Sequence, residues 1–259
     1  MKLSPSKLNT FLSCGKLYEY KYIDMLSDPS GQAAVNGTAI HEALENLYAQ
    51  PANWRTLAIA LDCLTYVLHD WPKVTACFPE PDVCAERIWN LFDLEDPTTV
   101  NCRRTEMDLT LDWYDDVQLR GIIDRVDVEE DGSYTIVDYK SGKAPSDRYL
   151  PDKLRQMKFY AMMGLKAFGT PPKRVKLLFL GTPQEIVVDV SPSMLRGVEA
   201  KAKAAVEAIE RGEFVTNPGD ACRFCPAKDI CPDVKKSLTP GTRARKMKPK
   251  TNNVKKEEV

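Results

Sequence analysis

From Arg103 to Leu111, apolar and polar side chains alternate. Met107, Leu109 and Leu111 fall on one face of a strand, and Glu106, Asp108 and Thr110 on the other. Two further segments, 121–128 and 134–140, flank a Glu-Glu-Asp-Gly-Ser turn and read as an antiparallel hairpin. Within it Ile122, Asp124, Val126 and Val128 share a face, as do Tyr134, Ile136, Asp138 and Lys140. Segments 175–180 and 185–190, separated by a Gly-Thr-Pro turn, read as two more strands.

Elsewhere the apolar spacing is helical. Ser4-Pro5 opens a helix, with serine as cap and proline at the first helical position. Cys14-Gly15 breaks it, and a second piece runs to about Ile23. From Asn36 onward, Ile40, Ala43, Leu44 and Leu47 form an apolar stripe. Gly37 stands at the expected start of that helix, and His41 and Glu45 lie one turn apart on its surface. Further helices are expected at about 54–69, 82–92, 152–168 and from Ser191-Pro192 to about Arg211. In the third of these, Gln156 and Tyr160 are one turn apart. The order of elements predicts an α/β chain with a mixed central sheet flanked by helices.

Composition is that of an ordinary soluble chain, 43% hydrophobic and 28% charged. No apolar run approaches a membrane span and no signal-peptide core is visible, so an intracellular, cytoplasmic protein with no membrane partner is expected. The net charge of −1 conceals an asymmetry. Residues 235–259 hold nine Lys/Arg and two Glu, a net of +7, which leaves −8 for the remainder. That basic tail, poor in apolar residues, is expected to be disordered. It serves either as a solubilising segment or as a loose contact to a phosphate backbone.

Asp124 and Asp138 each interrupt a largely apolar strand face, which is costly unless the carboxylate is paired or bound to a cation. Two such acids, with Lys140 two residues on, make a divalent-metal site with an ammonium beside it, suited to phosphodiester hydrolysis. The same Asp-x-Lys at a strand end is also common as a solvated salt bridge. Glu106 is expected to be solvated, with a metal-ligand role as the alternative. Lys143, in the loop after the hairpin, is a plausible phosphate contact.

Of eight cysteines, those at 63, 77, 84 and 102 are irregularly spaced. Cys222, Cys225 and Cys231 fall within ten residues, flanked by Pro226 and Pro232, which points to a metal or cluster site. Four thiolates suit tetrahedral Zn²⁺ or a [4Fe–4S] cluster, so a fourth ligand is needed from elsewhere.

Taken in order, Gly37-x3-His41-x3-Glu45, Gly121-Ile-Ile-Asp124-Arg, Asp138-Tyr-Lys140 and Gln156-x3-Tyr160 resemble the RecB-type branch of the PD-(D/E)xK nucleases. Cys14 with Cys222-x2-Cys225-x5-Cys231 is similar to the iron–sulfur staple of the subset that includes AddB-type helicase-nucleases and CRISPR adaptation exonucleases. The resemblance runs from about Leu3 to Pro232. It implies a restriction-endonuclease-like core over 1–234 with a helical insertion at about 51–102. Asp124, Asp138, His41 and the Tyr139 backbone carbonyl would hold Mg²⁺ or Mn²⁺. Lys140 would orient and help deprotonate water, and Gln156 and Tyr160 would position the substrate strand or the catalytic groups. Glu45 and Glu106 are weaker candidates. A structural [4Fe–4S] cluster on Cys14, Cys222, Cys225 and Cys231 would join the two ends of the domain.

The expected activity is therefore that of a metal-dependent DNA nuclease, most plausibly an exonuclease. A helicase, a recombinase or a CRISPR adaptation protein would be its partner. The chain has no Walker A phosphate loop, which excludes a helicase of its own. The competing readings are a nucleic-acid-binding module that no longer cuts, and a zinc-stabilised scaffold.

Overall fold

The structure, a computed structural model, describes residues 1–26, 31–72, 77–146 and 150–234, apart from the Asp152 side chain. The basic segment 235–259, expected to be disordered, lies outside the described residues.

The chain opens with a short strand, β1 (Lys2–Leu3), which was not expected from the sequence. Helices α1 (Pro5–Ser13), α2 (Gly15–Tyr22) and α3 (Gln32–Tyr48) follow, then α4 (Leu57–His69) and α5 (Pro81–Leu94). Three strands come next: β2 (Cys102–Tyr114), β3 (Val117–Val128) and β4 (Tyr134–Lys140). Helix α6 (Leu150–Phe168), strands β5 (Arg174–Phe179) and β6 (Gln184–Asp189) and helix α7 (Pro192–Glu210) complete the fold. Ser4 and Ser191 cap α1 and α7 by accepting from the Lys7 and Met194 N–H groups, with proline at the first helical position in each.

The six strands form one mixed sheet in the order β1-β3-β4-β5-β6, with β2 alongside β3. β3 pairs antiparallel with β2 along its length. Its other edge is shared. Parallel β1 meets it at Gln118 and Leu119, and antiparallel β4 meets it only from Arg125 to Val128. The stretch 120–124 lies between those two pairings, and this is where the site forms.

Alternation along the central strands feeds two cores. Val126, Ile136, Val175, Leu177 and Phe179 pack with α1, α6 and α7. Val137, Tyr139, Leu178 and Leu180 pack against α3, α4 and α5. The helical segment expected at 51–102 therefore supplies a cover for one sheet face. It also supports the loop after β4, because Arg87 Nε donates to the Ser141 carbonyl at 3.0 Å and Asn90 Nδ2 to the Leu180 carbonyl at 2.7 Å.

Candidate active site

His41 projects from α3, the helix that buried Ile40, Ala43 and Leu44 seat on the sheet. Its Nδ1 lies 3.5 Å from Asp124 Oδ2 and 3.8 Å from Glu106 Oε1. Ligand atoms of His41, Glu106 and Asp124 all fall within 4.8 Å of one another. The β2–β3 register explains the meeting: Thr105 faces Arg125 and Met107 faces Ile123, which leaves Glu106 level with Asp124. Glu106 takes φ +40°, outside the strand region. Glu106, expected to be solvated with a metal-ligand role as the alternative, thus stands part-buried beside His41 and Asp124. The missed signals are the tight Asp115-Asp116 turn and the irregularity between Asp112 and Tyr114 beside it, which together set this register.

Asp124 is nearly buried, and its Oδ2 accepts the Tyr139 N–H at 2.8 Å. Burial, then the negative charge of Asp138, pushes its carboxyl up to about 7, against the pull of His41, the Tyr139 N–H and Lys140. His41 is raised as well. Burial opposes its charged form, but the Glu106 hydrogen bond and the fields of Asp124, Asp138 and Glu106 outweigh that.

Asp138, 1% exposed, stands beside this group rather than within it. Lys140 Nζ approaches its Oδ2 at 2.5 Å as a charge contact, and that oxygen has no hydrogen-bond donor of suitable geometry. The Gln156 amide organises the rest. It accepts from Lys140 Nζ at 3.0 Å and donates to Asp138 Oδ1 at 3.1 Å and to the Tyr160 hydroxyl at 3.2 Å. Tyr160 lies over Gly121, where a Cβ would come within 2.8 Å of its ring. A glycine is needed there for close approach. Gly37, expected at the start of α3, sits in its second turn instead, facing Ser141.

Glu45 lines the open mouth beside His41, Glu42 and Glu106. Its carboxyl is raised by partial burial and by the neighbouring Glu106 and Glu42 charges. Lys143 is exposed on the loop after β4, where Gly181 packs against the Gly142–Lys143 backbone.

A model of the PD-(D/E)XK nuclease superfamily matches residues 2–232. The chain belongs to that superfamily. No curated protein matches it. Among solved structures, a candidate exonuclease from Eubacterium rectale aligns over 100% of this chain and 90% of its own, at 13% identity and TM-score 0.58. The protein SSO0001 aligns over 92% and 87%, at 16% identity and TM-score 0.46. The former likeness is one of fold.

In this PD-(D/E)XK chain, a buried hub that the sequence pattern does not reveal stands directly behind the acids. Arg125 is fully buried. Its Nη1 and Nη2 donate to Glu95 at 2.5 and 2.9 Å, Nε and Nη2 to Asp127 Oδ2 at 3.1 and 2.9 Å, and Nη1 to the Tyr139 hydroxyl at 2.7 Å. The guanidinium also lies 4.3 Å from the Tyr48 ring centroid. Burial pushes Glu95 up, but Arg125 holds it below the usual carboxylate range. Burial wins at Asp127, which is raised. The hub clamps α5, β3 and β4 together immediately beside Asp124 and Tyr139.

A second site joins the two ends of the nuclease fold. Cys14, between α1 and α2, lines one small cavity with Cys222, Cys225 and Cys231. Burial raises the Cys225 thiol, and its three cysteine neighbours act in the same direction. Asn217 Nδ2 donates to the Ser13 carbonyl at 3.0 Å, and Phe214 stacks on Tyr18 at 6.1 Å.

Proposed function

We propose that this chain is a DNA exonuclease that uses Mg²⁺ or Mn²⁺. The observation that carries the reading is the convergence of His41, Glu106 and Asp124 beside Asp138 and Lys140. The raised Asp124 carboxyl and three ligand-type atoms within 4.8 Å suit a divalent cation. His41, Glu106 and Asp124 would hold it, with Asp138, now paired with Lys140, and the Tyr139 carbonyl as further ligands, and the imidazole would favour Mn²⁺. A bound dication supplies a nucleophile at neutral pH and offsets phosphate charge.

The chain's own residues do the positioning. Gln156 holds Lys140 against Asp138, so the lysine ammonium stands at the edge of the acids. Water oxygen bonds to phosphorus as the bond to the leaving sugar oxygen breaks, the water's proton passes to solvent, and the leaving oxygen takes a proton from solvent. Lys140 orients the water and balances the charge gathering on phosphorus. Tyr160 fixes Gln156 in turn.

End-labelled linear DNA and covalently closed circular DNA, incubated with and without Mn²⁺, test this. Shortening of linear DNA alone, only with metal, is expected. Cutting of circles overturns the exonuclease reading, and an absence of any cleavage overturns the nuclease reading.

We further propose that Cys14, Cys222, Cys225 and Cys231 hold a structural [4Fe–4S] cluster rather than Zn²⁺. The four thiols line one cavity that joins the two ends of the fold, and the three-plus-one split of the cysteines in the sequence, with its long gap before Cys231, suits a cluster. Anaerobically purified protein is expected to be brown with about four iron atoms per chain. A colourless preparation with one zinc per chain overturns it.

A further inference from the structure

Outside the acids and the cysteines, two other cavities share an unusual chemistry. The first, about 680 Å³, opens beside Gln156, Tyr160 and Gly121 and runs to the start of α1. Lys2, Lys7 and Arg120 line it, with the Ser4, Ser6 and Asn9 polar groups and the half-exposed Ile122. The second, about 350 Å³, lies between α6 and α7 and is lined by Arg155, Lys158 and Lys201. Arg155 Nη1 donates to Asn9 Oδ1 at 3.2 Å, so a residue of one cavity grips a residue of the other.

Six cations thus line two cavities linked by the Arg155–Asn9 contact, the first of which opens at the Gln156–Tyr160 end of the site. Among the described residues, no Asp or Glu lines either cavity, in a chain whose first 234 residues carry a net −8. Such segregation on an acidic protein is the electrostatic footprint of a polyanion. The contacts that Arg120 and Lys7 make within the chain leave their charge available. Arg120 pairs with Asp108 at 3.0 Å, both about half exposed, a surface pair of little energy. Lys7 Nζ donates to the neutral Lys2 carbonyl at 3.1 Å and lies 5.5 Å from the Tyr22 ring.

From these observations we infer that Arg120, Lys7, Lys2, Lys158 and Lys201, on either side of the Arg155–Asn9 contact, form a track that holds the phosphates of one DNA strand and leads it to or from the reacting bond. The inference rests on the nuclease reading and adds the path of the substrate. A single strand fits concavities of a few hundred Å³, whereas a duplex is too thick to settle into them. Ile122 offers an apolar surface for a base or sugar in the first cavity.

The test is binding, read separately from cleavage. Fluorescence anisotropy of a labelled single-stranded DNA is measured in Ca²⁺ across a salt series, for the full chain and for two double variants, Lys7→Gln/Arg120→Gln and Lys158→Gln/Lys201→Gln. Each pair is expected to weaken binding severalfold on every sequence and to lower the salt slope by about 1.4, or roughly 0.7 for each phosphate no longer neutralised. The second pair is on a different helix surface, so a folding defect in the first does not decide the result. An unchanged slope in both overturns the track while cleavage by the parent chain still supports the nuclease reading. Equal or tighter binding of blunt duplex overturns the single-strand assignment. Loss of cleavage with binding and slopes as expected counts against the nuclease reading and not the track.

Discussion

The main-chain N–H of Tyr139 donates to Oδ2 of Asp124 at 2.8 Å. The regular β3–β4 ladder stops at Arg125 and Val137, so the next acid on β3 reaches across and takes a backbone donor that would otherwise serve the ladder. One residue of β4 thereby does two jobs. Its backbone orients a carboxylate, and its phenol, on the opposite face, accepts from Arg125 in the buried hub.

Lys140→Met is expected to lower cleavage by roughly 10²- to 10⁴-fold, the range that follows removal of a proton-transfer group. DNA and metal binding should stay close to the parent values. Single-turnover kinetics beside Mn²⁺ titration checks this, and parent-like cleavage would remove Lys140 from the mechanism.

Glu106→Gln keeps the shape of the side chain and removes its charge. Because Glu106 stands 3.8 Å from His41 Nδ1, Mn²⁺ affinity should fall by at least about tenfold. Calorimetry of metal binding decides it. An unchanged affinity would return Glu106 to the role of a solvated strand residue.

Metal binding should tighten as pH rises towards 7. Asp124, with its carboxyl at about 7, and His41, also raised, both hold protons that a cation must displace. The expected slope is about tenfold in Kd per pH unit for each proton released. Stability of the metal-free chain runs the opposite way. A raised acid keeps a proton that the unfolded chain has shed, so the Asp124 contribution is fullest below about 4 and declines as pH climbs through 7. The His41 contribution likewise fades as pH rises through its folded value. Comparing the pH dependence of melting with that of Asp124→Asn isolates the effect, and identical profiles would refute it.

Gly121→Ala places a Cβ 2.8 Å from the Tyr160 ring and 3.2 Å from Met163 Sδ. A cost of about 1–3 kcal/mol is expected from this overpacking, with Gln156 displaced and cleavage reduced. Gly142→Ala meets nothing within 4 Å and should melt with the parent chain.

Arg125→Met leaves Glu95 and Asp127 buried without their cation, at a cost of about 3–5 kcal/mol. Chemical denaturation measures it. A stable variant would mean that the carboxylates find water or protons at little cost.

Local pattern was enough for the longer strands, the helices and the types of residue available to the site, though not for the two-residue β1. Period two marked β3 and β4, period 3.6 marked α3 and α6, and Ser-Pro marked the starts of α1 and α7, because each depends on neighbours in the chain. The Asp124, Asp138 and Lys140 constellation was legible for the same reason: a charge on an apolar strand face is anomalous wherever the strand lies. Tertiary structure alone decided which groups meet. Glu106 joins His41 through strand register, Asp138 turns to Lys140 and Gln156, and Arg125 gathers Glu95, Asp127 and Tyr139 from three elements. Contacts between residues tens of positions apart depend on packing and on where a ladder ends, and a one-dimensional pattern does not encode either directly.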